Sequence, residues 1–185
     1  MLAFVSVLLI GFFTYRLLEA RSSAAERITK TLESIEQLQS LLATNYPSLE
    51  WHAQRGVGAF RRDGDAEVAL HSRRPAIEPL RVAVSRSHRD ARTDALMQRM
   101  GPTQPMSLGS SLKFCELAEG GMDVYPRFGP TSEWDTAAGQ CVLEAAGGIV
   151  VDPRGRPLRY NQRDTVLNGD FLAIGDPDLP WQTWL

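Results

Sequence analysis

Hydrophobic positions recur at three different spacings along the chain, and each spacing predicts a different kind of structure. Residues 1–18 are almost continuously apolar, with Arg16 as the single charge. In the next stretch, residues 19–46, apolar side chains are spaced three or four positions apart, which predicts an amphipathic helix. In residues 47–185, short apolar runs alternate with turn residues, which is typical of a mixed α/β domain. The pattern therefore predicts a chain of three parts.

The apolar segment at residues 1–18 is predicted to be a membrane anchor or, alternatively, a helix buried against a partner. A membrane span needs about 20 apolar residues, so this segment can cross a bilayer if the Arg16 side chain extends to the headgroups. No basic residue precedes the run and no small-x-small site directly follows it, which disfavours a signal peptide. Arg21, Arg27 and Lys30 follow the segment. They favour an inner-membrane orientation with the rest of the chain in the cytoplasm.

The predicted amphipathic helix contains no proline or glycine from Ser22 to Leu42. Its apolar stripe consists of Ile28, Leu32, Ile35, Leu38 and Leu42. Ser22 or Ser23 together with Glu26 offers a capping box at its start, and Pro47 follows its end. Such a stripe is expected to pack against a core or another helix.

Helical and strand-like spacings alternate after Pro47. The predicted strands of this region are Gly56 to Phe60 and Glu67 to Leu70 as a hairpin, Leu80 to Val84, Met122 to Arg127, and Ile149 to Asp152. The predicted helices are Arg89 to Met100, Ser110 to Glu119, and Thr136 to Ala146. Glycine or proline follows each of these helices, as expected for helix ends. This alternation predicts an α/β sandwich.

The composition is that of an ordinary globular domain, with 43% apolar residues, 23% charged residues and a net charge of −2. It gives no indication of nucleic-acid binding, which favours a strongly basic surface. The two cysteines, Cys115 and Cys141, lie in apolar stretches without metal-ligand spacing. They are predicted to be buried free thiols in a reducing compartment.

The sequence Trp134-Asp135-Thr136-Ala137-Ala138-Gly139 places a carboxylate directly before a predicted helix of small residues. One interpretation makes Asp135 an N-cap, because a carboxylate accepts hydrogen bonds from the free amides at a helix start. The other makes it a ligand for a hard cation, aimed at a phosphate near the same helix terminus. The residues alone leave both interpretations open.

Three upstream stretches place hydroxyl groups and cations near predicted ends of strands and starts of helices. These stretches are Val84 to His88, Gly109 to Cys115, and Tyr125 to Pro130. Hydroxyls, guanidinium groups and free amides at such junctions can converge on an anion. Taken singly, however, His88 is typical of a capping or surface position, and Lys113 and Arg127 are typical of solvated charges.

The stretch Trp134 to Gly139, followed by an apolar helix and GGIVVD, resembles the second signature of the inositol monophosphatase superfamily. The motifs SRSH, GSSLKFC and YPRFGP are similar, in order and spacing, to those of the CysQ-type 3'(2'),5'-bisphosphate nucleotidases. The resemblance implies the carboxyl-terminal part of that superfamily's layered α/β sandwich. It also implies that Asp135 binds metal and substrate, and that His88, Ser110, Lys113 and Arg127 hold a nucleotide with two phosphates.

By the same resemblance, the reaction is Mg²⁺-dependent hydrolysis of a phosphate monoester such as adenosine 3',5'-bisphosphate. Metal-assisted hydrolysis of this kind uses a cluster of carboxylates, and in the family most of them belong to a DPxDGTxxF signature and a glutamate-containing segment. Neither is present in this sequence. The sequence therefore predicts a catalytically incomplete chain.

Three explanations for the missing signature are open. The chain could be a truncated or recombined product, a membrane-tethered remnant that binds without turnover, or one half of a site completed by a partner chain. The leading hypothesis is a bisphosphate nucleotidase by descent. Its alternatives are a non-enzymatic, membrane-tethered nucleotide-binding module and an inositol monophosphatase-like enzyme.

Overall fold

The computed structural model describes residues 49–54, 56–85, 90–109 and 111–185. It contains two β-sheets with helices between and beyond them. The strands are β1 Leu49–Gln54, β2 Gly58–Asp63, β3 Ala66–Leu70, β4 Leu80–Val84, β5 Thr103–Ser107, β6 Val124–Arg127, β7 Ile149–Val151 and β8 Phe171–Ile174. The helices are α1 Ala91–Met100, α2 Leu112–Ala118 and α3 Glu133–Ala145, followed by a 3₁₀ turn at Trp181–Trp184.

The first sheet is an antiparallel meander in the order β1-β2-β3. Its β2–β3 hairpin confirms the hairpin predicted from alternating residues around Gly64, which has the positive φ of 58° that a tight turn favours in glycine. Ala59 and Leu70 are opposite each other in the register and point into the core. Trp51 and Arg61 both contact Glu119, just past α2, which fastens this sheet to the helices.

The second sheet has the order β5-β4-β6-β8-β7, in which β4 is parallel to β5 and β6 and the remaining neighbours are antiparallel. Its central strands alternate between two apolar faces, as the period of two in a strand requires. Ala83 and Tyr125 face the cluster shared with the first sheet, α2 and α3. Val82 and Val124 face a second cluster with α1 and the 3₁₀ turn. The resulting layers are sheet, helices, sheet and helix, which confirms the predicted α/β sandwich.

Several predicted boundaries were wrong. Helix α3 begins at Glu133, three residues before the predicted start at Thr136, because Ser132 rather than Asp135 occupies the N-cap position. Strand β5 was not predicted because it lies at the sheet edge, and only Thr103 and Met106 in it are partly covered. Cys115 and Cys141 are free, as predicted, but both are partly rather than fully buried.

The predictions for residues 1–18 and 19–46 lie outside the described residues and stay predictions. No helix in the described ranges has both the length and the apolar character that crossing a bilayer requires.

Candidate functional site

A cleft lies between the carboxyl ends of the neighbouring strands β4 and β6. In the described ranges, the ladder between these strands consists of the single pair Val82 and Val124, whereas β6 stays paired with β8 as far as Arg127. Pro126 has no backbone N–H, so it donates no hydrogen bond to either neighbouring strand. The cleft is lined by Val84, Ser85, Asp90, Thr93, Tyr125, Pro126, Arg127 and Phe128. Ligands of open α/β sheets commonly bind at such carboxyl ends.

Arg127 ends β6 and lines this cleft. Its Nη2 donates to the carbonyl oxygen of Pro130 at 3.2 Å. Its Nε is shielded from solvent and has no hydrogen-bond partner among the described residues. A buried donor without an acceptor is costly, so the guanidinium retains capacity for an anionic acceptor. Arg127 was predicted to hold a phosphate, and its position suits that prediction without testing it.

Lys113 lies in the first turn of α2 and is only 4% exposed. Its Nζ is 5.0 Å from the centroid of the Tyr125 ring, a cation–π distance. The sequence alone favoured a solvated surface charge at this position, and the structure places a buried ammonium group there instead. A buried ammonium group needs compensating partners, and the electron-rich face of Tyr125 is one of them.

Asp135 lies at the third position of α3 and is exposed. Its Oδ2 accepts a hydrogen bond from the backbone amide of Ser132 at 2.7 Å, which closes a capping box. Asp135 therefore does take part in capping the helix. It does so from the third helical position, by accepting a hydrogen bond from the N-cap residue Ser132. Within the described ranges, the second carboxylate oxygen accepts no hydrogen bond.

Tyr125 connects these three charged residues. Burial raises the pKa of its hydroxyl, the negative charge of Asp135 raises it further, and the positive charge of Arg127 opposes both. The ring packs edge-on against Phe114 at 5.4 Å and Phe171 at 5.5 Å. The sequence motifs included Tyr125, but its place beside Lys113 and within the influence of the Arg127 and Asp135 charges was not predicted.

The start of α3 is held by a segment that sequence reasoning passed over. Asn168 donates its side-chain amide to the backbone oxygen of Ser132 at 2.9 Å and to Thr136 Oγ1 at 2.9 Å. On the other side of the same turn, both carboxylate oxygens of Glu133 accept from the Asn161 amide, at 3.1 and 3.0 Å.

The site residues predicted from sequence are not all described. His88 and Ser110 lie outside the described residues, so their predicted contacts with a nucleotide stay predictions. The chain reaches residues 86–89 directly from Ser85 and leaves them at Asp90, and both of these residues line the cleft. Asp90 caps α1, where its Oδ1 accepts from the Thr93 amide at 2.8 Å.

A Mg²⁺ site of several carboxylates does not fit the described part of the chain. Mg²⁺ prefers six oxygen ligands near 2.0–2.1 Å, usually with carboxylates among them. The described residues contain no group of three or more histidine, cysteine, aspartate or glutamate side chains that could hold a metal ion. Of the described carboxylates in this region, Asp90 lines the cleft and caps α1, and Asp135 caps the start of α3. The prediction of Asp135 as a metal ligand is untested.

A second and larger cleft runs along the outer side of α3, with a volume of about 580 Å³. Ala137, Cys141 and Ala145 line it from the helix, and Leu158 and Tyr160 from the loop after β7. The Tyr160 hydroxyl donates to Gln140 Oε1 at 2.5 Å, and Gln140 Nε2 donates to Glu144 Oε1 at 2.7 Å. These polar groups bond to one another, which leaves the cleft without an evident ligand-binding group.

The fold is a layered α/β sandwich. Two cations, a carboxylate and an aromatic ring near the end of β6 make this region a candidate anion site. Comparison with known families makes the assignment specific. The inositol monophosphatase family matches residues 39–175, which is well over half of the chain. This chain belongs to that family.

Within the family, the chain is similar to 3'(2'),5'-bisphosphate nucleotidases named CysQ. It is 53% identical to the Escherichia coli K12 protein over 98 residues, covering 53% of this chain and 39% of that protein. It is 51% identical to the Salmonella typhimurium protein over 147 residues, covering 77% and 58%. The crystal structure of CysQ from Bacteroides thetaiotaomicron superposes with a TM-score of 0.58 at 34% identity, covering 69% and 54%. The chain thus spans about half the length of these relatives.

Proposed function

We propose that this chain carries the substrate-binding side of a magnesium-dependent 3'(2'),5'-bisphosphate nucleotidase, a phosphomonoesterase acting on adenosine 3',5'-bisphosphate. The observation that carries the proposal is the grouping of Lys113, Arg127 and Asp135 around Tyr125. The similarity to proteins named bisphosphate nucleotidases supports the same substrate class.

The two cations suit a substrate with two phosphates. The planar guanidinium of Arg127 can form paired hydrogen bonds to phosphate oxygens, whereas the Lys113 ammonium acts as a point charge. Within the described ranges the Nε of Arg127 has no acceptor, which leaves this donor for a phosphate oxygen. These residues bind and orient a phosphate, and none of them is a nucleophile.

Turnover is a separate matter, and we propose that the 185-residue chain by itself binds substrate without hydrolysing it. Bound Mg²⁺ would neutralise phosphate charge and lower the pKa of the attacking water. The described residues do not supply a cluster to hold it. No step through the metal is therefore assigned to this chain.

Calorimetric titration of the purified chain with adenosine 3',5'-bisphosphate tests the binding proposal. Replacing Arg127 by alanine should weaken binding about tenfold to a hundredfold, the usual loss for a charged hydrogen bond of about 1.5–3 kcal/mol. Lys113→Met should also weaken binding of the bisphosphate. Arg156→Ala is the matched control, because its i,i+4 pair with Asp152 is exposed and outside the cleft. Equal affinity in all variants would refute the binding site.

Phosphate release in the presence of Mg²⁺ tests the turnover proposal with the same samples. We expect binding of the bisphosphate without measurable release. Release at the rate of E. coli CysQ measured in parallel would refute the proposed incompleteness. Recovery of release after addition of a second chain carrying the DPxDGTxxF signature would support a shared site. Inositol 1-phosphate is the comparison substrate, and tighter binding of it would favour an inositol monophosphatase-like function.

A non-enzymatic nucleotide-binding module is the second candidate, and the lack of a carboxylate cluster among the described residues favours it. It would bind the bisphosphate normally and show no release under any of these conditions, including addition of the second chain. Whether such a module is tethered depends on residues 1–18. Sedimentation with membranes, compared between the full chain and a variant without residues 1–18, tests that prediction directly.

A further inference from the structure

The segment from Val166 to Asp170, named here the tie segment, connects two walls of the candidate site. It runs antiparallel to the residues that precede α3. The Glu133 amide donates to the Val166 oxygen at 2.8 Å, and the Asn168 amide donates to the Thr131 oxygen at 2.8 Å. At its other end, Asp170 Oδ2 accepts from Arg92 Nη2 at 2.5 Å. Arg92 belongs to α1 and lies 4.5 Å over the ring of Phe128, which lines the cleft.

Asn168 is the one side chain of the tie segment that is buried, at 7% exposure. Its Nδ2 lies 2.9 Å from the Ser132 oxygen, 2.9 Å from Thr136 Oγ1 and 3.2 Å from Thr131 Oγ1. An amide nitrogen has two hydrogens, so three acceptors within range saturate it. The backbone oxygen of Ser132 can only accept a hydrogen bond. The Asn168 side-chain amide must therefore point its nitrogen, and not its oxygen, toward Ser132.

Ser132 is the residue that Asn168 and Asp135 share. Its amide donates to Asp135 Oδ2 at 2.7 Å. Its carbonyl oxygen accepts from the Asp135 amide at 3.0 Å and from Asn168 Nδ2 at 2.9 Å. Asp135 is exposed and has no other side-chain bond within the described ranges. The orientation of its carboxylate therefore depends on where Ser132 is held.

We propose that Asn168 is a positioning residue, which fixes Ser132 and thereby the orientation of the Asp135 carboxylate. The proposal rests on the proposed function for its consequence, since Asp135 must contact substrate or its metal for the position to matter. The placement itself is independent of that function. Asn168 touches no reacting group and acts through the first turn of α3.

Replacing Asn168 by alanine tests the proposal with two measurements. The first is hydrogen exchange of the Ser132 amide in the free protein, which should become at least about tenfold faster as the capping box opens, the size expected for loss of about 1.4 kcal/mol. The second is the affinity for adenosine 3',5'-bisphosphate with Mg²⁺, which should weaken about tenfold. Both quantities are measured under conditions in which the unfolding curve shows that the variant is fully folded.

Ser72→Ala is the matched control because it removes a buried hydrogen bond near the other end of the same helix. Ser72 Oγ donates to the Gly175 oxygen at 2.6 Å, and the Ser72 amide donates to the Ala146 oxygen just after α3. This variant should lose stability with unchanged Ser132 exchange and unchanged affinity. If Asn168→Ala does not fold, Thr136→Val removes one of the three acceptors while keeping the shape, and a smaller acceleration of Ser132 exchange is expected.

The outcomes separate this inference from the proposed function. Unchanged Ser132 exchange in a folded Asn168→Ala or Thr136→Val variant overturns the positioning role, whatever the ligand result. Faster exchange with unchanged affinity also overturns it, since Asn168 would then be only structural. If the unmodified chain binds no bisphosphate, the proposed function fails and so does the claim that the orientation of Asp135 serves substrate binding. Accelerated Ser132 exchange would then show only that Asn168 holds the helix start.

Discussion

The Asp135 carboxylate accepts a hydrogen bond from the Ser132 amide at 2.7 Å, so it closes the start of α3, and its negative charge adds to burial in raising the pKa of Tyr125. A capping residue and a ligand are usually weighed as alternatives for such an aspartate. Here the geometry allows both, because the cap uses Oδ2 only. The two roles can be separated by substitutions that remove the charge and the acceptor independently.

We predict that Asp135→Asn and Asp135→Ala differ in stability but not in ligand binding. Asparagine keeps a carbonyl oxygen that can accept a hydrogen bond from the Ser132 amide. The free energy of unfolding of Asp135→Asn should therefore fall by less than about 0.5 kcal/mol. Alanine loses the cap and should cost about 1 kcal/mol. Both variants lose the negative charge, and both should lose any Mg²⁺-dependent increase in nucleotide affinity. Urea unfolding and calorimetry measure the two effects.

The opposite result for Asp135→Asn is informative. If Asp135→Asn retains the full Mg²⁺ dependence of binding, the carboxylate serves only the helix. If the unmodified chain shows no such dependence, the metal-ligand role that the family resemblance implies is absent here.

Gly139 should tolerate no side chain. A Cβ at this position would lie 2.6 Å from Phe114 Cδ2 and 2.8 Å from Phe114 Cβ, and atoms so near the root of a side chain cannot swing away. The absence of a side chain at Gly139 lets α3 lie directly against α2. We expect Gly139→Ala to destabilise by about 1–3 kcal/mol, which outweighs the gain in helix propensity of about 1 kcal/mol.

Gly129→Ala provides the comparison for this overpacking, since nothing lies within 4 Å of its added Cβ. Its free energy of unfolding should change by less than about 0.5 kcal/mol. Because Phe114 packs on Tyr125 at 5.4 Å, Gly139→Ala should also shift the near-ultraviolet circular dichroism of the aromatic cluster. Equal stability of the two variants would contradict the close approach of α2 and α3.

The Glu116 carboxylate should destabilise the fold at neutral pH. Burial raises its pKa above the ordinary value of 4.5, repulsion from Glu119 adds to this, and Arg61 and Arg81 oppose it. A raised pKa means that the folded state holds the proton more tightly, so stability falls as pH rises from 4.5 through the folded-state pKa. We expect Glu116→Gln to stabilise at pH 7 by at most about 0.5 kcal/mol, because the half-exposed group is screened by solvent.

The pH dependence checks this assignment. Below about pH 4 the carboxyl group is protonated in both states, and the difference between Glu116→Gln and the unmodified chain should disappear. Thermal unfolding of both proteins from pH 4 to pH 8 measures this difference in stability. A difference that persists or grows at low pH would mean that Glu116 contributes through packing or hydrogen bonding.

The two thiols should react at different rates. Burial raises the pKa of Cys115, and the charges of Glu119 and Glu116 raise it further. Burial and Glu144 also raise the pKa of Cys141, but Cys141 lines the open cleft beside α3, where a reagent can reach it. Since the thiolate is the reactive form, Cys141 should react with a disulfide reagent at pH 8 at least about tenfold faster than Cys115.

Single serine substitutions assign the two rates. The fast phase should vanish in Cys141→Ser and remain in Cys115→Ser. A fast phase carried by Cys115 would show that the end of α2 opens more readily than its packing against the first sheet suggests.

Elements with strong local signals could be predicted from sequence. The hairpin around Gly64 and the buried run Leu80 to Val84 were found because alternation and turn residues specify them without knowledge of the rest of the fold. The start of α3 was missed because both Ser132 and Asp135 are good capping residues. Ser132 is favoured by contacts from Asn168 that are 36 residues away in sequence.

The candidate site was predictable only where a motif or a family resemblance marked it. Arg127 and Asp135 were found in this way, and the structure brings both close enough to affect Tyr125. The burial of Lys113 was not predicted, because a lysine at the start of a helix is usually solvated. Asn168 carries no chemical signal of its own, since its importance comes from the acceptors that the fold places around it.

The cleft between β4 and β6 follows from the course of the two backbones, which pair at Val82 and Val124 and then separate. The separation of the two strands belongs to the fold, whereas the side chains along the walls decide what the cleft can hold. The shape of this region is therefore evidence of ancestry, and the inheritance of activity has to be judged from chemistry alone.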